Sequence, residues 1–543
     1  MIDVFLEHPI LTATCAGLAA LCADYARMLY LRFKMPPGPF PLPLIGNTFS
    51  LPEEKPWFYF EALAKQYNSP VITFWIGRRP TVWLNDAWAA SELLDKRAAV
   101  YSSRPRMVVF AELGAGQSNL VNMYTVTPAQ RERWRVHRRI THAGVGIQKV
   151  REYRAFQDAE SRVVALDMLA APEKFAQHFE RYATSVVSII AFGRRVESCE
   201  DPIITEVIAA MQLAAELNVP GKRFPMLMES FPILARFPDE IAPWKYRLGG
   251  RRKKGAHRFF YSLAQEAAEK EGHDECYVKH LVHETEKYGL SPEEISSLTG
   301  NLFGAGSDTS SSTLITFVLA CCAFPEALPR AWAELDAVVG SARSPSFDDA
   351  RRLPYMNAFV KEVLRWRSVA IIGGQPHAPV EDDYYNGWLI PKGTWVQGNV
   401  WAIHHNEREF PEPDSFNPER YLVGSESARP FPGEKGYMTF GWGRRVCSGQ
   451  ALAEQGTWMS VARMLWGFNI QKARQKDGNQ VDVDIFDFTN GLNWRPRPFK
   501  CSIAPRSEEI KATIEREGRQ ALADLQEYAG TTDYRMSLFA RKS

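Results

Sequence analysis

The ten residues Phe440-Gly441-Trp442-Gly443-Arg444-Arg445-Val446-Cys447-Ser448-Gly449 constrain this chain more than any other stretch. They set one cysteine among glycines, two residues after Arg445, directly ahead of a helix-like run that begins at Gln450. A cysteine acts as a metal ligand or nucleophile only as the thiolate, and a helix N-terminus beside positive charge lowers its pKa. The glycines let the backbone turn sharply and come close to a flat partner, with no Cβ in the way. On these residues alone, nucleophile and metal ligand are both open.

At 543 residues the chain is long enough for three domains or for one large one. It contains no Gly-Ser linker, low-complexity tract or internal repeat, which favours one continuous catalytic body. A hydrophobic content of 45% and a charged content of 24% are ordinary for a globular protein, and a net charge of +2 gives no reason to expect a nucleic-acid partner. The eight cysteines follow neither a zinc-finger nor a disulfide spacing, and no N-x-S/T acceptor site is present. Both observations suit a body facing the reducing cytosol.

The first 34 residues differ from the rest. Ile10 to Ala23 is almost wholly apolar or small, and the run continues to about Leu31 if Asp24 and Arg27 are tolerated. A spanning helix needs about 20 residues. Asp3 and Glu7 precede the run while Arg27, Arg32 and Lys34 follow it, so the positive-inside rule leaves the body in the cytoplasm. A cleaved signal peptide expects a basic front end, which is absent. The proline-rich segment Pro36 to Pro43 then reads as a stiff extended spacer.

Pro70 to Trp75 and Pro80 to Leu84 read as short strands divided by the turn signal Gly77-Arg78-Arg79. Phe110 to Asn122 is expected to be irregular. Arg131 to Arg139 forms a basic helix on which Trp134 and Arg138, four apart, share a face. The stretch from about Gln157 to Lys287 is helical in pattern, interrupted by Phe224 to Trp244.

Ser291-Pro292-Glu293-Glu294 is a capping box with proline at the first helical position, and it opens a long apolar helix. That helix places Gly300, Gly304 and Gly306 in its interior, each costing about 1 kcal/mol relative to Ala. Asp308, Thr309 and Ser310 to Ser312 follow, residues that compete for backbone hydrogen bonds. A groove that admits a small ligand would explain such a concentration of defects; so would a small-residue packing face. Farther on, Glu362 and Arg365 stand i,i+3 on a helix, Pro376-His377 lies in a strand-like stretch, and Asn417-Pro418-Glu419-Arg420-Tyr421 follows about fifty residues after the helix.

Taken in order, these motifs resemble the cytochrome P-450 family. Phe440 to Gly449 matches its F-x-x-G-x-R-x-C-x-G loop in full, Ala305 to Thr309 matches A/G-G-x-D/E-T, and Glu362 to Arg365 with Pro418 to Tyr421 resembles E-x-x-R and P-E-R-F, Tyr421 replacing Phe. The resemblance spans Pro36 to Arg506. It implies a mainly α fold with small β-sheets behind an N-terminal transmembrane helix: an anchor over 1–34, a monooxygenase body over 35–506 and a helical extension of unknown role over 507–543.

It further implies haem b bound through Cys447, with Arg445, Trp134, Arg138 and His377 at the propionates, and Thr309 and Asp308 managing oxygen and protons. Glu362, Arg365 and Arg420 would form a structural network behind the haem. The segments Ser368 to Gly374 and Phe488 to Leu492 would line the substrate pocket. The activity implied is insertion of one atom of O2 into a hydrophobic small molecule. Electrons would come from NADPH through a separate flavoprotein reductase docking on the basic proximal face. The location implied is the endoplasmic reticulum membrane, single-pass, with the body in the cytosol. The tone of the motifs is similar to filamentous-fungal members that make specialised metabolites, including small aromatic polyketides. A haem-thiolate isomerase or dehydratase and a non-catalytic haem-binding protein are the rival readings, and neither needs the Asp308-Thr309 pair.

Overall fold

The computed structural model describes residues 9–217, 228–238, 241–242, 250–269 and 276–530. Asp3 and Glu7, ahead of the first helix, and much of the Phe224 to Trp244 interruption lie outside the described residues. Helix α1 (Pro9–Lys34) opens the description. Its second part is docked on the body. Arg78 Nε donates to Asp24 at 2.6 Å, the Tyr25 hydroxyl donates to the Pro41 carbonyl, and Met28 is buried. Only Pro9 to Ala23 stands clear, about 22 Å at 1.5 Å per residue, against about 30 Å of bilayer hydrocarbon. No single helix among the described residues is long and apolar enough to cross a membrane.

The proline-rich segment is not a free spacer. The Thr73 amide donates to the Pro37 carbonyl at 2.8 Å and Asn47 Nδ2 to the Phe40 carbonyl at 2.8 Å, which fastens it to the first sheet. In that sheet β1 (Val71–Ile76) runs antiparallel to β2 (Arg79–Leu84), with Val71 opposite Leu84, as the turn signal at Gly77 predicts. A distant strand, β5 (Trp395–Gly398), joins β2 in parallel, preceded by the hairpin β3 (Asp383–Tyr385) and β4 (Trp388–Ile390).

The stretch expected to be irregular is partly helical. Val108–Ala115 forms a wide helical turn broken at Gly114, because Val108, Val109 and Ala111 are apolar and buried, in part against Met228. The basic helix α2 (Pro128–Val145) follows, opened by a Thr127/Gln130 capping box.

Helix α3 (Arg154–Ala170) packs on α4 (Phe175–Phe192), and α4, α5 (Pro202–Leu217) and α6 (Gly250–Glu269) pack on α7 (Pro292–Ala323), an unbroken helix of 32 residues capped by Ser291 and Glu294 as expected. The glycines of α7 do not open a groove. A Cβ on Gly306 would stand 2.4 Å from Val187 Cγ1 of α4, one on Gly304 2.9 Å from Met211 Sδ of α5, and one on Gly300 2.8 Å from Phe260 of α6. They are the points where three neighbours close on α7. Four of its hydroxyls turn back on the helix: Ser307, Thr309, Ser311 and Thr313 each donate to the carbonyl four residues back.

Helix α8 (Pro354–Trp366) and α9 (Gln450–Gly467) complete the core beside α7, whose Leu314 to Cys322 are buried with Phe359, Val363 and Leu465. All eight cysteines are free thiols. Strand β6 (Phe468–Lys472) pairs antiparallel with β7 (Cys501–Pro505).

The extension after Arg506 lies against the body. Helix α10 (Glu508–Asp524) buries Ile510, Ile514 and Ala521 against α3 and its surroundings. Glu517 accepts from the Ser344 amide, and the Arg195 amide donates to the Tyr528 carbonyl at 2.8 Å. Residues 531–543 of the extension lie outside the described residues. Because Ile514 is 3% exposed, Ile514→Ala is expected to cost about 2–5 kcal/mol of stability in chemical denaturation. A change below about 0.5 kcal/mol, the range of an exposed site, would show that the helix only rests on the body.

Candidate active site

The cysteine loop is built by local hydrogen bonds that its glycines permit. The Cys447 amide donates to the Phe440 carbonyl at 2.9 Å, closing the loop, and the Gly443 amide donates to Asp95 Oδ1 at 2.6 Å. Trp442 anchors it. The indole lies where a Cβ on Gly398 would be 2.0 Å away and one on Gly373 2.6 Å, so both positions must be glycine for the ring to seat. Gly373 belongs to the Ser368 to Gly374 segment, which is thereby tied to the loop.

Cys447 is ringed by protein and still keeps accessible surface, the combination expected of a group on the wall of an interior cavity. Burial pushes its thiol up. The Gly449 amide, which donates to the sulfur, and the Arg138 guanidinium both pull it back toward the thiolate. Arg138 gives Nη1 to Ser448 Oγ at 2.6 Å and Nη2 to the Val446 carbonyl at 2.7 Å, binding α2 to the loop. The sulfur also stands at the N-terminus of α9, whose dipole favours negative charge.

Around the loop the structure gathers cations. Arg445 lies 4.6 Å over the Trp134 ring and donates to the carbonyls of Ser102, Leu120 and Met123. His377 bridges Val396 of β5 through its backbone, as its strand-like context predicts, and its Nδ1 meets the Tyr101 carbonyl at 2.9 Å. That bond leaves Nε2 to face an incoming group.

Arg104 completes the set. It belongs to none of the motifs, yet it is 7% exposed and donates to the carbonyls of Val121, Gln375 and Pro376. Burial lowers Arg104 to about 9. Burial first, then the charges of Arg104 and its neighbours, holds Arg445 and His377 well below their ordinary values.

Among the described residues none of Arg104, Arg138, Arg445 and His377 forms an ion pair with a carboxylate. Arginines enclosed by protein without an anion are costly, and His377, held toward its neutral form, would gain a proton beside one, so this cluster is shaped for an acid that comes from outside the chain. A group with a metal for the thiolate and carboxylates for the cations fits both halves of the site. Haem, with its two propionates, is such a group.

Behind the loop lies the network expected of Glu362, Arg365 and Arg420. Glu362 and Arg365, both wholly buried, form a two-pronged pair at 2.7 and 2.8 Å, and Arg420 Nε approaches Glu362 at 3.4 Å. Arg365 also donates to the carbonyls of His404 and Pro413, and the Asn417 amide donates to Glu362 at 2.9 Å. His404 returns the contact: it bonds the Arg365 carbonyl through Nδ1 and accepts from the Met438 amide through Nε2. The network therefore reaches the residues just ahead of the cysteine loop.

On α7, Ala305 is exposed in the middle of a buried helix and Thr309 is half-buried on the same face. The Thr309 hydroxyl donates to the Ala305 carbonyl at 2.7 Å, leaving its lone pairs free to accept. Asp308 leaves the helix about 100° away. It is 3% exposed, its carboxyl is pushed up by burial, and it accepts from Asn493 Nδ2.

A family model described as Cytochrome P-450 matches residues 36–501. Cytochrome P-450 monooxygenase 58 of Postia placenta is 34% identical over 492 residues, covering 89% of this chain and 91% of its own. Cytochrome P-450 monooxygenase yanC of Aspergillus niger is 33% identical over 543 residues, 96% of this chain and 99% of its own. Cytochrome P-450 monooxygenase macC of Penicillium terrestre is 34% identical over 533 residues, covering 95% and 98%.

Proposed function

The chain belongs to the cytochrome P-450 family of monooxygenases, and from that premise we propose that it hydroxylates or similarly oxidises a hydrophobic small molecule in fungal secondary metabolism. The observation that carries this is the pairing of Cys447, which keeps accessible surface just ahead of α9, with a cluster of Arg104, Arg138, Arg445 and His377 that pairs with no carboxylate among the described residues. Cys447 would hold the haem iron. Arg445, Arg104 and His377 would face the propionates, with Trp134 backing Arg445 and Arg138 fixing the loop. His377 donates through Nε2 only when protonated, which a neighbouring anion favours.

Haem bound through a thiolate supplies the oxidising chemistry: RH, O2, two electrons and two protons give ROH and water. The chain's own part is to place and protect. Gly449 and Arg138 offset part of the burial that opposes ionisation of the Cys447 sulfur, a bound metal would supply the rest, and Glu362, Arg365 and Arg420 hold the scaffold beneath it. The Thr309 hydroxyl, already anchored on Ala305, offers a hydrogen-bonding oxygen on the open face of α7. Asp308 stores a proton one residue earlier. Ile371, Ile372 and Phe488 are apolar, and a substrate pocket opening beside them would suit a compact aromatic molecule such as a small polyketide phenol.

Two electrons must reach this site, and the chain carries no G-x-G-x-x-G dinucleotide motif of its own. A separate NADPH-dependent flavoprotein reductase, docking on the basic surface of α2, is the proposed donor. Membrane attachment is proposed through α1, on the strength of the exposed apolar Ile10, Leu11, Leu18 and Leu21. It would place the protein at the endoplasmic reticulum with the body in the cytosol. The domain division proposed is the anchor over 1–34, the catalytic body over 35–506 and a helical extension of unknown role over 507–543.

With a fungal reductase and candidate phenols, NADPH consumption is expected to rise on adding the right substrate, with a product heavier by one oxygen. NADPH-independent turnover would point to an isomerase or dehydratase. Binding without NADPH consumption, over a broad substrate set, would point to a non-catalytic haem protein.

A further inference from the structure

Asp308 is held by a residue 185 positions later in the chain. Asn493 Nδ2 donates to Asp308 Oδ2 at 2.6 Å. The backbone that delivers this amide is pinned from both sides. Asn493 bridges Ala370, Phe488 bridges Pro496, and the Trp494 amide donates to the Val369 carbonyl at 2.8 Å. The amide therefore has little freedom to leave Asp308. Two residues on, Arg495 pairs with Glu180 of α4, and its Nη1 is buried with no hydrogen-bond partner among the described residues. Arg495 and Glu180 are the charged groups that face Asp308. The arginine favours its carboxylate form and the glutamate opposes it.

An N–H aimed at one carboxylate oxygen occupies that oxygen as an acceptor, so a proton arriving on the carboxyl takes the other. We infer that Asn493 is a positioning residue for proton handling at Asp308: its amide holds Oδ2, confines the exchangeable proton to Oδ1, and keeps the carboxyl fixed beside Thr309 on α7. Asn493 works through Asp308, the group its side-chain amide bonds. The inference rests on the reading of Asp308 as the residue that stores the proton. It adds a second duty to a segment otherwise assigned to substrate contact, since Phe488 to Leu492 lead directly into Asn493.

Burial favours the neutral carboxyl, and the Asn493 donor offsets part of this. Removing the donor moves the protonation midpoint of Asp308 upward, and putting a second carboxyl in its place moves it further. The test is an infrared pH titration of the purified ferric holoprotein, in which the protonated-carboxyl band of Asp308 is the one lost in Asp308→Asn. Asn493→Leu is expected to raise its midpoint by about one pH unit or more, the scale of a lost hydrogen bond to a buried carboxylate. The nearly isosteric Asn493→Asp should exceed that and carries the test if the leucine variant does not fold.

In both variants the pH profile of coupling, product formed per NADPH oxidised, shifts upward by the same interval while the carbon-monoxide spectrum stays unchanged. A midpoint that stays within 0.2 pH units of wild type, a threshold of roughly 0.3 kcal/mol, in a protein whose Asp308→Asn variant uncouples, overturns the inference alone. Wild-type coupling in Asp308→Asn overturns the reading of Asp308 and the inference with it.

Discussion

Glu362→Ala yields protein without bound haem. Its carboxylate serves three partners at once: Arg365 through two bonds, Arg420 Nε, and the Asn417 amide. Removing it leaves two buried guanidinium groups without their anion, a loss of about 3–5 kcal/mol where one partner of a buried pair is deleted. Arg365 keeps its carbonyl acceptors, so the helix need not unfold, but the position of the cysteine loop depends on this network through His404 and Met438. The check is the ratio of haem absorbance to protein in purified material, with Glu362→Gln as the control that keeps one acceptor oxygen. A Glu362→Ala protein loaded and stable like wild type would remove the network from the account.

Cys447→Ser has the second large effect, and its cause is chemical. The side chain keeps accessible surface, so a serine of similar size should not disturb packing. The alcohol, however, stays protonated where the thiol, with Gly449 and Arg138 against it, can ionise. Loss of the ligand itself is expected to reduce turnover by more than the roughly 10–100-fold that loss of a supporting partner costs a metal site. The variant should fold, measured by denaturation midpoint, yet give no thiolate-type spectrum. A serine variant with wild-type turnover would show that Cys447 is not the ligand.

What could be read before folding was the part written in local spacing. The cysteine loop, the capped α7 with Thr309, the Glu362/Arg365 pair and the two strands about Gly77 each fit within a few residues, so their pattern survives in one dimension. Arg104 could not be found this way: it lies in a Ser-Ser-Arg-Pro context with no motif, and only the approach of Gln375 and Pro376 buries it. Its one usable signal is its place directly ahead of Pro105.

The partner of Asp308 was hidden for the same reason, since Asn493 reaches it across the fold. Gly300, Gly304 and Gly306 were legible as an anomaly but not in their purpose. Their neighbours Phe260, Met211 and Val187 belong to three other helices, and close helix packing explains them without any opening in α7. The docking of α10 could not be foreseen either. Its apolar residues have a helical period, but the face that receives them, Leu166 and its neighbours on α3, lies more than 300 residues earlier.

The central claim is that Cys447 is the thiolate ligand of a haem held by cations that have no other anion. It is tested most directly by the carbon-monoxide difference spectrum of the reduced, purified full chain. That spectrum is expected to show the red-shifted Soret band characteristic of thiolate ligation, lost in Cys447→Ser. A haem-loaded protein whose reduced carbon-monoxide complex shows only the band of a nitrogen-ligated haem would contradict it.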